Sequence, residues 1–269
     1  MNRFVTHAAS ASGSGISSSK IARLRSLLAF DRSQLEAIHS ARTSALIPEG
    51  HPALAFNGLS SSDTCALSLR VVGFDEAGRG ALAGPVTVAC ASFDLSQLFA
   101  SCGDVREAVL ETYADLNDSK QVTVRHRERL YSHILAEARC GIGCASAVEI
   151  DRLGIVGACR IAAQRAYRHL NLDADVGLFD RGLTLGEERG VEPIPSSMQL
   201  TRGDGKSFHI AAASILAKVH RDDVMQKLDA WASGYGLSAH KGYGTAAHFE
   251  AIVQRGTSKF HRQSFLTRL

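Results

Sequence analysis

The 269-residue chain has no apolar run long enough to cross a bilayer: its longest uncharged stretches, such as Ile210 to Ala217, fall far short of the ~20 residues required. That predicts a soluble protein with no membrane partner. It also lacks a Cys-x-x-Cys pair and any Cys/His run at zinc spacing, although Cys65, Cys90, Cys102, Cys140, Cys144 and Cys159 are present. A zinc module is excluded, and with no secretory signal the thiols are expected to stay reduced and unpaired. Extreme charge is missing too. A formal charge of +3 agrees with a polyanionic partner without demanding one. No Gly-x-Gly-x-x-Gly follows the first strand, which removes a Rossmann-type nucleotide binder. Residues 1 to 30 contain no acid, but seven serines with Arg3, Lys20, Arg23 and Arg25. This is the composition of an organelle transit peptide or of a serine-rich tail, and both readings stay open.

What is present is a chain with 45% hydrophobic residues, ample for a large core. Its organising stretch is Asp75-Glu76-Ala77-Gly78-Arg79-Gly80, entered from the β-branched run Leu69 to Phe74 and followed by a second strand from Pro85 to Phe93. A strand stopped by glycines thus carries two acids at its C-terminal end. Successive strand residues face opposite sides, so both acids serve one metal cluster only if the pleat breaks, which Gly78 and Gly80 permit. Arg79 adds a fixed charge suited to phosphate. Paired acids beside a backbone cradle and an arginine suggest a phosphodiester substrate.

The remaining elements are read from period and punctuation. A weak helical period runs from Ile21 to Ser44 (Leu24, Leu27, Leu28, Leu35, Ile38), then a Pro/Gly/Ser-rich linker reaches Asp63. A helix starts near Thr123 with Leu130, Ile134, Leu135 and Ala138 inward. Cys140 to Val148 is a strand, and Ile150 to Leu170 a helix with Ile155, Cys159, Ala162, Ala163, Ala166 and Leu170 inward. Glu149 and Asp151 suit the positive end of that helix and are read as structural. Val176 to Asp180 is an apolar strand closing on an acid, repeating the logic of Asp75. Met198 to Thr201 is a short strand leading into Arg202-Gly203-Asp204. From Ser207 to Trp231 a long helix buries Ile210, Ala213, Ala217, His220, Val224 and Leu228, with Ser207, Ser214 and Lys218 as polar positions and Arg221 and Asp222 tying it down. A glycine-rich loop, Tyr235 to Thr245, precedes a last helix, Ala246 to Arg255, burying Phe249 and Ile252; the tail from His261 is expected to dock on the core.

Gly73 to Val86 resembles the signature of ribonuclease HII, a type 2 ribonuclease H. Three later stretches are similar to that family in the same order: Leu116-Asn117-Asp118-Ser119-Lys120; Ala211 to Val219 with Arg221-Asp222; and His240-Lys241-Gly242-Tyr243-Gly244-Thr245. The resemblance implies an α/β, ribonuclease H-like mixed sheet flanked by helices, with a C-terminal helical portion, over residues 67–269. Residues 1–66 are then an N-terminal extension, disordered or weakly helical. It implies an endonuclease that hydrolyses the RNA strand of RNA-DNA hybrids and cuts at single ribonucleotides embedded in duplex DNA, leaving 5′-phosphate and 3′-hydroxyl ends. Asp75, Glu76, Asp180 and Asp204 are carried over as the catalytic acids and as ligands of two Mg²⁺ or Mn²⁺ ions. Gly78, Arg79 and Gly80 are carried over to ribose recognition, and Asn117, Lys120, Ser214 and Tyr243 to substrate contacts. Two positions depart from the family: Arg181 separates Asp180 from Gly182, and Arg202 replaces a lysine. A monomer without an obligate protein partner is expected, in the cytoplasm, or in mitochondria or another organelle if residues 1–30 are a transit peptide. Alternatives are a catalytic subunit that needs partners, which would lack the His240 to Thr245 stretch, and a non-catalytic nucleic-acid-binding module, which would have no use for four acids.

Overall fold

The computed structural model describes residues 16–46, 69–100, 104–117, 119, 122–186 and 193–267. Its frame is a five-stranded sheet of β1 (Val71–Ala77), β2 (Val86–Ser92), β3 (Arg139–Ala145), β4 (Val176–Asp180) and β5 (Ser196–Leu200), ordered β3-β2-β1-β4-β5. β1 runs antiparallel to β2 and parallel to β4, so it is buried on both faces and reads as a continuous apolar run. Alternate residues feed two cores. Val71 joins Leu178 on one face, while Val72 and Phe74 join Val88 and Phe179 on the other.

Eight helices are seen among the described residues: α1 (Ser18–Leu46), α2 (Leu95–Leu98), α3 (Glu107–Tyr113), α4 (Val124–Glu137), α5 (Ala147–Leu170), α6 (Phe208–Trp231), α7 (Leu237–His240) and α8 (Ala246–Arg255). α5 covers the second face through Ala158, Cys159, Ala162, Ala163 and Ala166. It starts at Ala147, earlier than its period suggests, and cuts β3 short, because Ser146 and Glu149 form a reciprocal capping box. Arg165 then pairs with Glu149 at 2.6 Å and holds its carboxyl down to about 2. Asp151 accepts from the Gln263 and Ser264 amides at 3.0 and 2.9 Å, which docks the tail. Both acids are structural, as their positions suggested.

α6 covers the first face. From Phe208 to Ala217 every residue is buried, since sheet and α1 enclose it from both sides. Further on the stripe runs through Arg221 and Met225, and His220, Val224 and Leu228 are only half-buried. In α4, Leu130 and Ile134 face inward but Leu135 is 47% exposed. In α8, Ile252 is buried with His248, and Phe249 is half-buried. These differences have one cause: periodicity locates an apolar face only to within a neighbouring residue, and the packed partner decides the edge.

The N-terminal extension contributes a 29-residue helix. Leu24, Leu27, Leu28 and Leu35 are 0–1% exposed in the same core as β1 and α6, each contributing roughly 1.5–3 kcal/mol of burial. Lys20 reaches Asp115 at 2.6 Å. Asp31, fully buried, accepts from the backbone N–H of His209 at 3.1 Å and from its ring Nδ1 at 2.7 Å. The helix is therefore joined to the core that the boundary at residue 66 would separate it from. Most of the N-terminal serine-rich segment lies outside the described residues, as do the linker to Asp63, Cys65 and Cys102; the other four cysteines are free thiols.

Candidate active site

β1 and β4 end side by side. Their parallel register pairs Phe74 with Phe179, which brings Asp75 and Asp180 next to each other on the face covered by α6. Glu76 starts from the opposite face. The pleat does not break there, since the ladder to β2 continues through Glu76↔Val88 and Ala77↔Thr87. Instead β4 pairing stops at Phe74, leaving that flank of β1 open, and the longer glutamate reaches round the end. One carboxylate oxygen from each of Asp75, Glu76 and Asp180 lies within 4.8 Å of the other two.

This arrangement is electrostatically costly as it stands. Burial pushes the Asp75 carboxyl well above its usual range, and Glu76 and Asp180 add to the rise. The neighbouring Ser214 hydroxyl and the Glu76 N–H, which donates to Asp75 Oδ1 at 2.8 Å, oppose it only in part. Three oxygen ligands without histidine or cysteine suit a hard divalent cation, which would cancel the repulsion. Asp180 Oδ1 also accepts from the Gly203 N–H at 2.7 Å, which ties the strand end to the turn carrying Asp204. Asp204 falls outside the close trio but lines the same cleft of about 440 Å³ with Gly78, Arg79, Gly80, Ser119, Ser214, Lys218 and Tyr243.

The family model for ribonuclease HII matches residues 72–268. Ribonuclease HII of Pseudothermotoga lettingae is 42% identical over 196 residues, covering 72% of this chain and 76% of the relative; that of Gluconobacter oxydans is 40% identical over 198 residues, covering 72% and 87%. The chain belongs to the ribonuclease HII family. Its fold is shared by the matching chain of the PCNA:RNase HII complex from Archaeoglobus fulgidus (TM-score 0.56, 21% identity, 75% of this chain and 97% of that one) and by ribonuclease H2 from Pyrococcus horikoshii (0.54, 23%, 73% and 93%).

Arg181, which stands between Asp180 and Gly182, has a simple backbone setting. The Leu183 N–H closes a turn onto the Asp180 carbonyl at 3.1 Å, with Arg181 at its second position and Gly182 at its third with φ +86°. Arg181 lies in a turn after the acid, and Asp180 stands beside Asp75 and Glu76. Arg79 leans on this turn, donating to the carbonyls of Arg181 (3.3 Å) and Gly182 (2.9 Å), and it sits 3.3 Å from Glu76. Its charge is thus held at the rim of the acidic cleft.

The two glycines of the ribonuclease HII loop differ. Gly78 has φ +87°, and a Cβ there would collide with the buried Arg221 side chain, so the protein itself requires glycine. A Cβ at Gly80 would meet nothing within 4 Å. Ser214 lies at the cleft floor, hydrogen-bonded to Ser119 at 2.9 Å, while Tyr243 is 39% exposed at the rim with the Arg221 guanidinium 5.5 Å from its ring centre. Asn117 is half-buried and outside the set lining the cleft; Lys120 lies outside the described residues. Lys218, one of the polar positions of its helix, reaches the cleft, and so does Ser119; both stand in family-like motifs. Arg262, in the tail expected to dock on the core, is fully buried behind the loop, and only the fold joins its guanidinium to residues 78–84.

Proposed function

We propose that this chain is a divalent-metal-dependent endonuclease that hydrolyses RNA paired to DNA and cuts at single ribonucleotides within duplex DNA. The observation that carries the reading is the convergence of Asp75, Glu76 and Asp180 within 4.8 Å at adjoining strand ends, in a cleft that also presents the Gly78 to Gly80 backbone. Asp75, Glu76 and Asp180, with Asp204 beside them, would hold two Mg²⁺ or Mn²⁺ ions, which supply activation of the attacking water and stabilisation of the leaving 3′-oxygen. Ser214 steadies the Asp75 carboxylate, and the Gly203 amide fixes one oxygen of Asp180 so that the other can turn toward the cleft. Arg79 offsets the acids' repulsion of an incoming phosphate. The backbone from Gly78 to Gly80 approaches the ribose closely enough to read the 2′-hydroxyl, the group that separates RNA from DNA at one nucleotide. Tyr243 at the rim offers a flat apolar face to the neighbouring sugar.

The single chain carries all of these groups, and in this reading it acts without a protein partner. The deciding experiment incubates the purified chain with a duplex carrying one ribonucleotide, with Mg²⁺, with Mn²⁺ and with chelator. Metal-dependent incision at the ribonucleotide, leaving a 5′-phosphate, is expected; no incision in either metal would refute the reading, and incision only after adding a cell extract would favour a partner-requiring subunit.

A further inference from the structure

Arg262 sits 183 residues after Arg79 in the chain, yet its side chain is spent on the loop that follows β1. Nη2 donates to the Gly78 carbonyl at 2.8 Å, Nη1 to the Arg79 carbonyl at 2.9 Å and Nε to the Gly84 carbonyl at 3.0 Å. Its own N–H donates to the Leu82 carbonyl at 2.8 Å. The residue is 0% exposed, and among the described residues no carboxylate lies within ion-pair distance of it. A guanidinium that could have been satisfied by one acid is given entirely to backbone oxygens.

The consequence follows from peptide geometry. In a planar trans peptide the C=O and the next N–H point in opposite directions. Drawing the Gly78 and Arg79 carbonyls inward therefore turns the Arg79 and Gly80 N–H groups outward, toward the side of the loop that lines the cleft. The hydrogen-bond pattern agrees. Ala81, Leu82, Ala83 and Gly84 donate their amides within the protein, to Gly78, Gly242, Gly242 and Phe260 respectively. Among the described residues, the Arg79 and Gly80 amides meet no acceptor. Two adjacent donors are left open beside the acidic trio, and the space beyond Gly80 is clear.

We propose that Arg262 is a positioning residue for the reaction: by gripping the Gly78 and Arg79 carbonyls it holds the Arg79 and Gly80 amides as a preformed donor pair for the ribose and phosphate oxygens of the nucleotide being cut. The inference rests on the nuclease reading above and deepens it. Only a planar fork with donors on separate nitrogens can serve residues 78, 79 and 84 at once; a lysine ammonium keeps the charge but loses that span. The buried charge, with no carboxylate in ion-pair contact among the described residues, also projects through the loop toward the substrate phosphate. Arg221 is the neighbouring brace, donating to the carbonyls of Pro85 and Ala83 at 3.0 and 3.3 Å, beyond the segment that lines the cleft.

The test compares Arg262→Lys with the unaltered chain, both carrying Asp75→Asn to prevent cleavage, for binding to a duplex with one ribonucleotide and to the all-DNA duplex of the same sequence. The preference for the ribonucleotide is expected to fall about tenfold while all-DNA binding stays within about twofold, because the charge is kept and only the amide pair is released. With Asp75 restored, kcat/KM on the ribonucleotide duplex should fall by a similar factor at a temperature where circular dichroism shows the variant folded. An unchanged preference in a folded variant, or an equal loss on both duplexes, overturns the proposal. Should Arg262→Lys not fold, ¹⁵N spectra of the Asp75→Asn chain decide it: the Arg79 and Gly80 amides should exchange rapidly when free and shift with the ribonucleotide duplex but not with DNA, and amides that are protected or unmoved refute it. An unaltered chain that cuts nothing in Mg²⁺ or Mn²⁺ sinks the nuclease reading itself; one that cuts while Arg262→Lys keeps its preference sinks only this inference.

Discussion

Asp75 and Asp31 are both buried aspartates on the α6 side of the sheet, and their surroundings are opposite. Asp31, on α1, is met by two donors of His209 and closes a joint between two helices. Asp75 is met by two further carboxylates, and its own carboxyl is driven toward the protonated form. Burying an acid against donors fastens a structure; burying it against acids leaves a deficit of positive charge that a ligand must fill. The first kind of site is held by donors that the folded chain supplies, the second only by a cation.

The contrast can be broken most severely at the trio. Asp75→Asn should lower metal-dependent cleavage by at least about a thousandfold, measured on the single-ribonucleotide duplex, while thermal stability in chelator is unchanged or higher. A variant with near-normal turnover would remove Asp75 from the chemistry. Asp31→Ala should do the reverse. Leaving two buried donors of His209 unsatisfied costs about 3 kcal/mol, seen as a melting temperature lower by ~10 °C, with kcat retained where the protein stays folded. Loss of activity without loss of stability would mean that α1 takes part in the site.

The loop glycines sharpen the same distinction at smaller amplitude. Gly80→Leu should melt close to the unaltered chain, because its side chain enters open space, yet cut about 10- to 100-fold more slowly at a ribonucleotide. Gly78→Ala should be the less stable of the pair, since it forces φ +87° on a residue with a Cβ and displaces Arg221. A thermal-shift series on both variants, read beside their cleavage rates, separates the two roles.

The smallest effect is the pH dependence of the metal-free protein. The Asp75 carboxyl ordinarily titrates at 3.8 when unfolded and higher when folded, so between those values the folded state holds more protons. Stability contributed by this group is therefore highest below 3.8 and declines as pH rises through the folded value. The difference in melting temperature between the unaltered chain and Asp75→Asn, followed from pH 4 to 8 in chelator, should widen with pH and close again on adding Mg²⁺. A difference that stays flat would mean that the trio carries no such strain.

Much of this was legible in the chain. β1 halting at Asp75-Glu76, β4 closing on Asp180, helix starts near Thr123 and Ser207, and the docking of the His261 tail all rest on neighbours within a few residues, where periodicity, capping and turn chemistry act. The resemblance to ribonuclease HII was carried by contiguous motifs and needed no contact map. The errors share a different character. Glu76 was expected to need a broken pleat, and Leu135 was placed inside when the completed core left it exposed.

The sequence by itself determined the elements, the acids at the strand ends and the family, because each is written in short stretches whose local physics is nearly independent of the rest. Only the tertiary structure decided that Glu76 rounds an open strand flank, that Asp204 stands beside the trio, that α1 belongs to the core, and that Arg262 holds a loop more than 170 residues earlier. Those outcomes depend on which surfaces meet when the sheet closes between α5 and α6, and no spacing along the chain records that.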